Sequence, residues 1–134
     1  MVLLFLHQWM DFMVRNLVEP QLLNEEVTWA RYELGEDFFE EYIQFFGQTA
    51  LEVHQDLVGL LGSKNSPAIA SKAHDLKGLC LNLGLEIFGK QLKAVERAAV
   101  EQDWALVKGL LAQFPKLREE SVAALVEFKL RQSG

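Results

Sequence analysis

Residues 66–84 read SPAIASKAHDLKGLCLNLG, and the spacing of apolar residues within them sets the fold. Ile69, Ala73, Leu76, Cys80 and Leu83 recur three and four apart, the spacing of a helix with one buried stripe. At 100° per residue measured from His74, that stripe lies between roughly 180° and 260°. His74 therefore points away from the core. Lys77 and Gly78, at i+3 and i+4, are its surface neighbours. Ser66 is expected as the cap with Pro67 at the first helical position, and Gly84 follows the last turn, where a left-handed residue usually sits.

The same periodicity extends outward in both directions. A short helix is expected from Asn24 as cap, with Glu25 and Glu26 in its first turn, to Gly35. A long one runs from about Glu36 to Leu61, with Phe38, Phe39, Tyr42, Phe45, Phe46, Ala50, Val53, Leu57, Leu60 and Leu61 near helical spacing. Gly62 to Ser66 is a loop. After Gly84 a helix from about Glu86 to Val100 buries Ile87, Leu92, Val95 and Ala99. Asp103 caps a last helix through Trp104, Val107, Leu110, Leu111 and Phe114, and Pro115 kinks it before it continues to about Leu130. No strand pattern competes. Helices of this length joined by short loops predict an all-α chain, an antiparallel up-down four-helix bundle over 21–134.

Residues 1–20 are a separate, hydrophobic segment. Phe5, Leu6, Trp9, Phe12, Met13 and Leu17 fall near helical spacing, which predicts an additional N-terminal helix. It lacks the basic start and small-residue cleavage site of a signal peptide, and its apolar run is too short to span a bilayer. We expect it to pack on its own domain in a monomer, with a dimer contact as the alternative. Glu19-Pro20 ends it.

With 134 residues the chain has room for one domain, and 24% charged residues with three prolines describe a globular protein. A net charge of −6 argues against nucleic acid as partner, and no basic stripe stands out along the chain. The single cysteine, Cys80, cannot form an internal disulfide and falls in the apolar stripe, which suggests a core residue in a reducing, cytoplasmic setting. His54 and His7 read as surface or boundary histidines. No Glu-x-x-His pair suggests a metal-carrying bundle, and no Gly-rich phosphate loop suggests nucleotide binding. The chain is thus expected to be a non-enzyme with no cofactor or metal of its own.

Gly78 adds weight to the exposed face. A glycine inside a helix costs about 1 kcal/mol against alanine, so its presence suggests something that approaches the backbone closely. By the same helical arithmetic Ala70, Leu81 and Leu85 surround His74 at roughly 320°, 340° and 20°. Small and apolar groups around an exposed imidazole make a docking surface of Gly78, Ala70, Leu81 and Leu85.

Ala73 to Gly84, AHDLKGLCLNLG, resembles the phosphoacceptor segment of histidine phosphotransfer domains, A-H-x-L-K-G with a glycine six residues later. Leu34-Gly35-Glu36-Asp37-Phe38 is similar to that family's entry into its second helix. Leu92 with Val95-Glu96 is similar to the apolar-then-acidic pattern after the histidine. The shared order of helices covers about Leu22 to Leu130. The resemblance implies a phosphorelay intermediate in which His74 accepts a phosphoryl group from a receiver-domain aspartate and passes it to another response-regulator receiver. It also implies Lys77 as charge partner for the phosphoryl oxygens and Mg2+ held by the receiver. A hybrid sensor histidine kinase is the implied upstream partner.

Glu96 is the expected orienting group for the imidazole. His74 lies ten residues before Gly84 and Glu96 twelve after it, so an antiparallel hairpin brings them to one height. A carboxylate there would fix the tautomer. Leu79, Cys80 and Leu81 follow the Lys-Gly pair where many family members have small residues, and bulky Leu81 on the exposed face predicts a narrowed or tuned choice of receivers. The competing reading is a helical bundle that has lost phosphotransfer and docks a receiver or other partner without chemistry.

Overall fold

The computed structural model describes residues 2, 5–10 and 20–133. Among them six helices follow Pro20, and no strand occurs: α1 Glu25–Tyr32, α2 Glu36–Gly62, α3 Ser66–Leu83, α4 Glu86–Val100, α5 Trp104–Ala112 and α6 Phe114–Ser133. The four-helix bundle consists of α2, α3, α4 and the kinked pair α5 and α6.

Cross-helix contacts give the directions. Along α2, Glu40 meets Lys129, Gly47 meets Arg118 and His54 meets Leu111. The rising number on one side against the falling number on the other makes α2 antiparallel to α5 and α6. Asp56 pairs with Lys72 where α2 passes α3. Ser66 at the start of α3 reaches Ala99 near the end of α4, so these two form an antiparallel hairpin. The expected stripe Ile69, Ala73, Leu76, Cys80 and Leu83 is buried, against Phe39, Phe46 and Leu57 of α2 and Phe88, Leu92 and Val95 of α4. Burial pushes the Cys80 thiol well above its ordinary pKa, as for an inert core cysteine.

Helix ends follow local chemistry. Asn24 and Asp103 cap α1 and α5 by accepting from Val27 N and Leu106 N. The cap of α3 is one residue earlier than expected. Asn65 accepts from Ala68 N at 3.2 Å, while the Ser66 hydroxyl is turned to Ala99 O instead. Gly84, at φ +86°, reverses the chain between α3 and α4. A Cβ there would lie 2.5 Å from Asn24 O and 2.8 Å from Thr28 Oγ1, so both conformation and space require glycine.

That close approach is where α1 docks. Asn24 N donates to Gly84 O at 2.7 Å, and the fully buried Thr28 hydroxyl lies 2.8 Å from Leu83 O. Arg31 adds a bond from Nε to Asn82 O. Carbonyls left open at the end of α3 are thereby satisfied from outside the helix. Pro115 breaks the last helix as expected. Without an N–H it cannot donate to Leu111 O, and His54 Nε2 lies 3.1 Å from that oxygen instead. The His54 ring stacks on Phe114 at 4.9 Å between centroids, so this half-buried histidine has a structural place.

The N-terminal segment differs from expectation. Residues 5–10 are helical, but Phe5, Leu6, Trp9 and Met10 are 48–70% exposed, so this described portion does not cover the bundle. Phe12, Met13 and Leu17, named in the same expectation, lie outside the described residues. Among the described residues, no helix is long and apolar enough to cross a membrane.

Candidate functional site

The hairpin of α3 and α4 determines which polar groups meet. His74 rises from the outer face of α3 with 60% of its side chain exposed. Its Nδ1 lies 3.1 Å from Glu96 Oε1 and 3.3 Å from Oε2, on the facing turn of α4. An ionised carboxylate can only accept, so Nδ1 carries the ring proton in this contact. Nε2 is left with its lone pair and no partner among the described residues. A nucleophilic nitrogen facing solvent is the chemical content of the arrangement.

Glu96 also accepts from Lys77 Nζ at 3.1 Å through Oε2. Partial burial pushes the Glu96 carboxyl up. The hydrogen bond and charge of Lys77 together with His74 outweigh that, and hold it below the ordinary glutamate value. Glu96 is therefore ionised throughout the neutral range, with Oε1 the nearer oxygen to His74 Nδ1 and Oε2 accepting from Lys77. Lys77 departs from the expected posture here. Its side chain is only 19% exposed and leans across to α4, because i+3 lies on the flank of α3 that faces the neighbouring helix. The ammonium is still one turn from the imidazole and joined to it through one carboxylate.

The expected docking residues are not equivalent. Gly78 is exposed, and a Cβ added to it would meet nothing within 4 Å. Leu81 is 50% exposed, with its inner side on Gly89 of α4. Ala70 is half-buried against the core. Leu85 requires correction: it is fully buried. The helical arithmetic that placed it beside His74 stops being valid at Leu83, because Gly84 reverses the chain. Leu85 becomes the residue before α4, and its side chain turns into the core.

A second correction concerns charge. Lys90, Lys93 and Arg97 occupy positions i, i+3 and i+7 of α4, so they form a basic strip on its outer face. The strip was hidden in the linear sequence by the acids between and after them, Glu96 and Glu101. The same helical projection used for α3 would have found it. Thr28, buried beneath α1, was also missed, because a lone threonine in a short helix carries no signal of what lies under it. Among the described residues no cluster of three His, Cys, Asp or Glu side chains could hold a metal ion.

A family model described as the Hpt domain matches residues 41–126, from the second turn of α2 into α6, with the hairpin and its His74, Lys77 and Glu96 inside the match. Neither the curated proteins nor the solved structures include one that matches the chain. The match spans well over half of the chain and the whole of the hairpin that holds the site. The chain belongs to the Hpt domain family, whose members are phosphocarriers with a phosphotransfer-related role in two-component signalling.

Proposed function

We propose that this protein is a phosphorelay intermediate in which His74 takes a phosphoryl group from the aspartyl phosphate of one receiver domain and delivers it to the aspartate of another. The observation that carries the reading is the Glu96 contact to Nδ1, which leaves Nε2 as a free, exposed nucleophile. In the forward step the Nε2 lone pair forms the N–P bond. The P–O bond of the acyl phosphate breaks, and its electron pair leaves with the aspartate carboxylate. The imidazole becomes cationic with its proton still on Nδ1, and Glu96 faces that charge. Delivery to the next receiver reverses each change.

Lys77 serves as the charge partner of the phosphoryl oxygens. Phosphoryl transfer depends mainly on positioning and on stabilising charge over the equatorial oxygens, and an ammonium one turn from the nucleophile suits that task. Its present hydrogen bond to Glu96 keeps it within reach. Gly78 gives the incoming receiver access to the helix backbone. Mg2+ belongs to the receiver in this proposal, because hard cations of this kind take several oxygen ligands and this face offers one engaged carboxylate. The donor belongs to a hybrid sensor kinase, and the relay operates in the cytoplasm with this chain as a monomer.

The test uses purified receivers carrying labelled aspartyl phosphate in the presence of Mg2+. Wild-type protein should acquire phosphate that is acid-labile and alkali-stable, and His74→Gln should acquire none. If no receiver of a broad panel labels the wild type, a binding module without phosphotransfer becomes the better account.

A further inference from the structure

Five of the described cations have no ion pair or side-chain hydrogen bond: Lys64, Lys90, Lys93, Arg97 and Lys108. Three of these five lie on one face of α4. Apart from Lys64 and Lys108, the other described cations are engaged, as Lys129 is with Glu40 and Lys72 with Asp56. A chain of net charge −6 has acids to spare, so leaving three cations together without partners is a local feature.

The strip adjoins the candidate site. An open groove of about 340 Å3 runs beside it, lined by Lys77, Lys93, Glu96, Arg97, Val100 and Glu101. Lys77 and Glu96 thus belong both to the His74 constellation and to the wall of this groove. Val100, 66% exposed, supplies an apolar shoulder. A body placed over His74 from the α4 side would meet Lys93 and Arg97 at its edge.

We propose that Lys93 and Arg97, with Lys90 beyond them, form an electrostatic docking strip for the acidic rim of the receiver's phosphorylation pocket, and that it selects among receivers. The proposal rests on the phosphorelay reading above. The occupant follows from charge complementarity. A pocket that binds Mg2+ through carboxylates and carries a phosphorylatable aspartate is itself rich in negative charge. Complementary rim charges mainly raise the association rate and suppress wrong partners. Receivers with an acidic rim are therefore favoured over those with a neutral or basic one.

The experiment compares wild type, Lys93→Glu/Arg97→Glu and a control, Lys64→Glu/Lys108→Glu, which makes the same change in net charge away from the site. Each is titrated with an acidic-rimmed receiver that phosphorylates the wild type, at low and high ionic strength. The strip variant should bind and accept phosphate at least about tenfold more slowly at low salt, and the gap should close near 0.5 M salt, where screening is nearly complete. The control should match wild type. Equal rates for wild type and the strip variant overturn the proposal, as does an equal loss in the control. A gap unaffected by salt also overturns it, because the two residues would then act by packing. Failure of every receiver to label wild type refutes the phosphorelay reading itself and is seen before any variant is made.

Discussion

Replacing Gly78 with alanine should stabilise the free protein and impair it as a phosphoryl acceptor. Gly78 sits in the middle of α3, exposed, with nothing within 4 Å of an added Cβ. The substitution therefore creates no clash, and it removes the backbone entropy that glycine loses on entering a helix. The expected gain is about 1 kcal/mol. In a chain of this size that raises the melting temperature by roughly 3 °C. Urea unfolding monitored by circular dichroism should show a higher midpoint with an unchanged slope, since the surface exposed on unfolding barely alters.

The functional cost is on the other side of the ledger. A methyl group holds an approaching backbone about 1.5 Å farther away at a point one turn from His74. Misplacement of about 1 Å between reacting groups can lower a rate by about a hundredfold, so receiver-driven labelling should slow by at least about tenfold. Gly59 and Gly109 provide the comparison, because both are exposed helical glycines with nothing near their would-be Cβ, on α2 and α5. Alanine at either should stabilise in the same direction and leave transfer alone. A Gly78→Ala protein that is less stable than wild type would show that the face is not open. One that is more stable yet transfers at the wild-type rate refutes close approach as the reason for the glycine.

Four further outcomes follow from the same contacts. Gly84→Ala must force a left-handed alanine against Asn24 O, and should cost about 3 kcal/mol in urea unfolding, with α1 losing its hydrogen-exchange protection. His54→Ala should cost about 2 kcal/mol by removing the bond to Leu111 O and the ring over Phe114, and Pro115→Ala should recover part of that because an alanine N–H can serve the same carbonyl. Glu40 is held below its ordinary value of 4.5 by its hydrogen bond to Lys129 and then by that to Gln44, so its folded form is stabilised above that pH. Measured stability of wild type over Glu40→Gln should shrink as the pH falls below 4.5. Glu96→Ala should release the ring proton from Nδ1, and nitrogen NMR should show the His74 tautomer shifting towards Nε2–H while transfer slows.

How much of this could be read in the sequence depends on what each residue obeys. The buried stripe of α3 and the exposure of His74 follow from the 3.6-residue period alone, and the same period would have exposed the basic strip of α4 had it been projected there. Lys77 defeats that arithmetic for a different reason. A helical projection counts it among the surface neighbours of His74, but from the flank nearest α4 a four-carbon side chain goes where a carboxylate waits, and that carboxylate stands on another helix. Thr28 and His54 were beyond reach for a related cause: each satisfies a carbonyl, Leu83 O or Leu111 O, that becomes available only where a different part of the chain interrupts a helix.

Gly84 shows both outcomes at a single position. Taken as the end of α3, it sets the hairpin register that brings His74 and Glu96 to one height, and the structure has their atoms 3.1 Å apart. Projecting through it as though α3 continued put Leu85 on the docking face, when the left-handed turn sends that side chain into the core. Periodicity is a statement about one uninterrupted helix, so it fails at the first residue that ends one. The positive φ at Gly84 also brings Asn24 close enough to bond its carbonyl, which fastens α1 across the base of the hairpin. The register that presents Nε2 to solvent and the strap that holds it are thus consequences of one missing side chain, and Gly84→Ala should disturb the His74 to Glu96 contact from ten residues away.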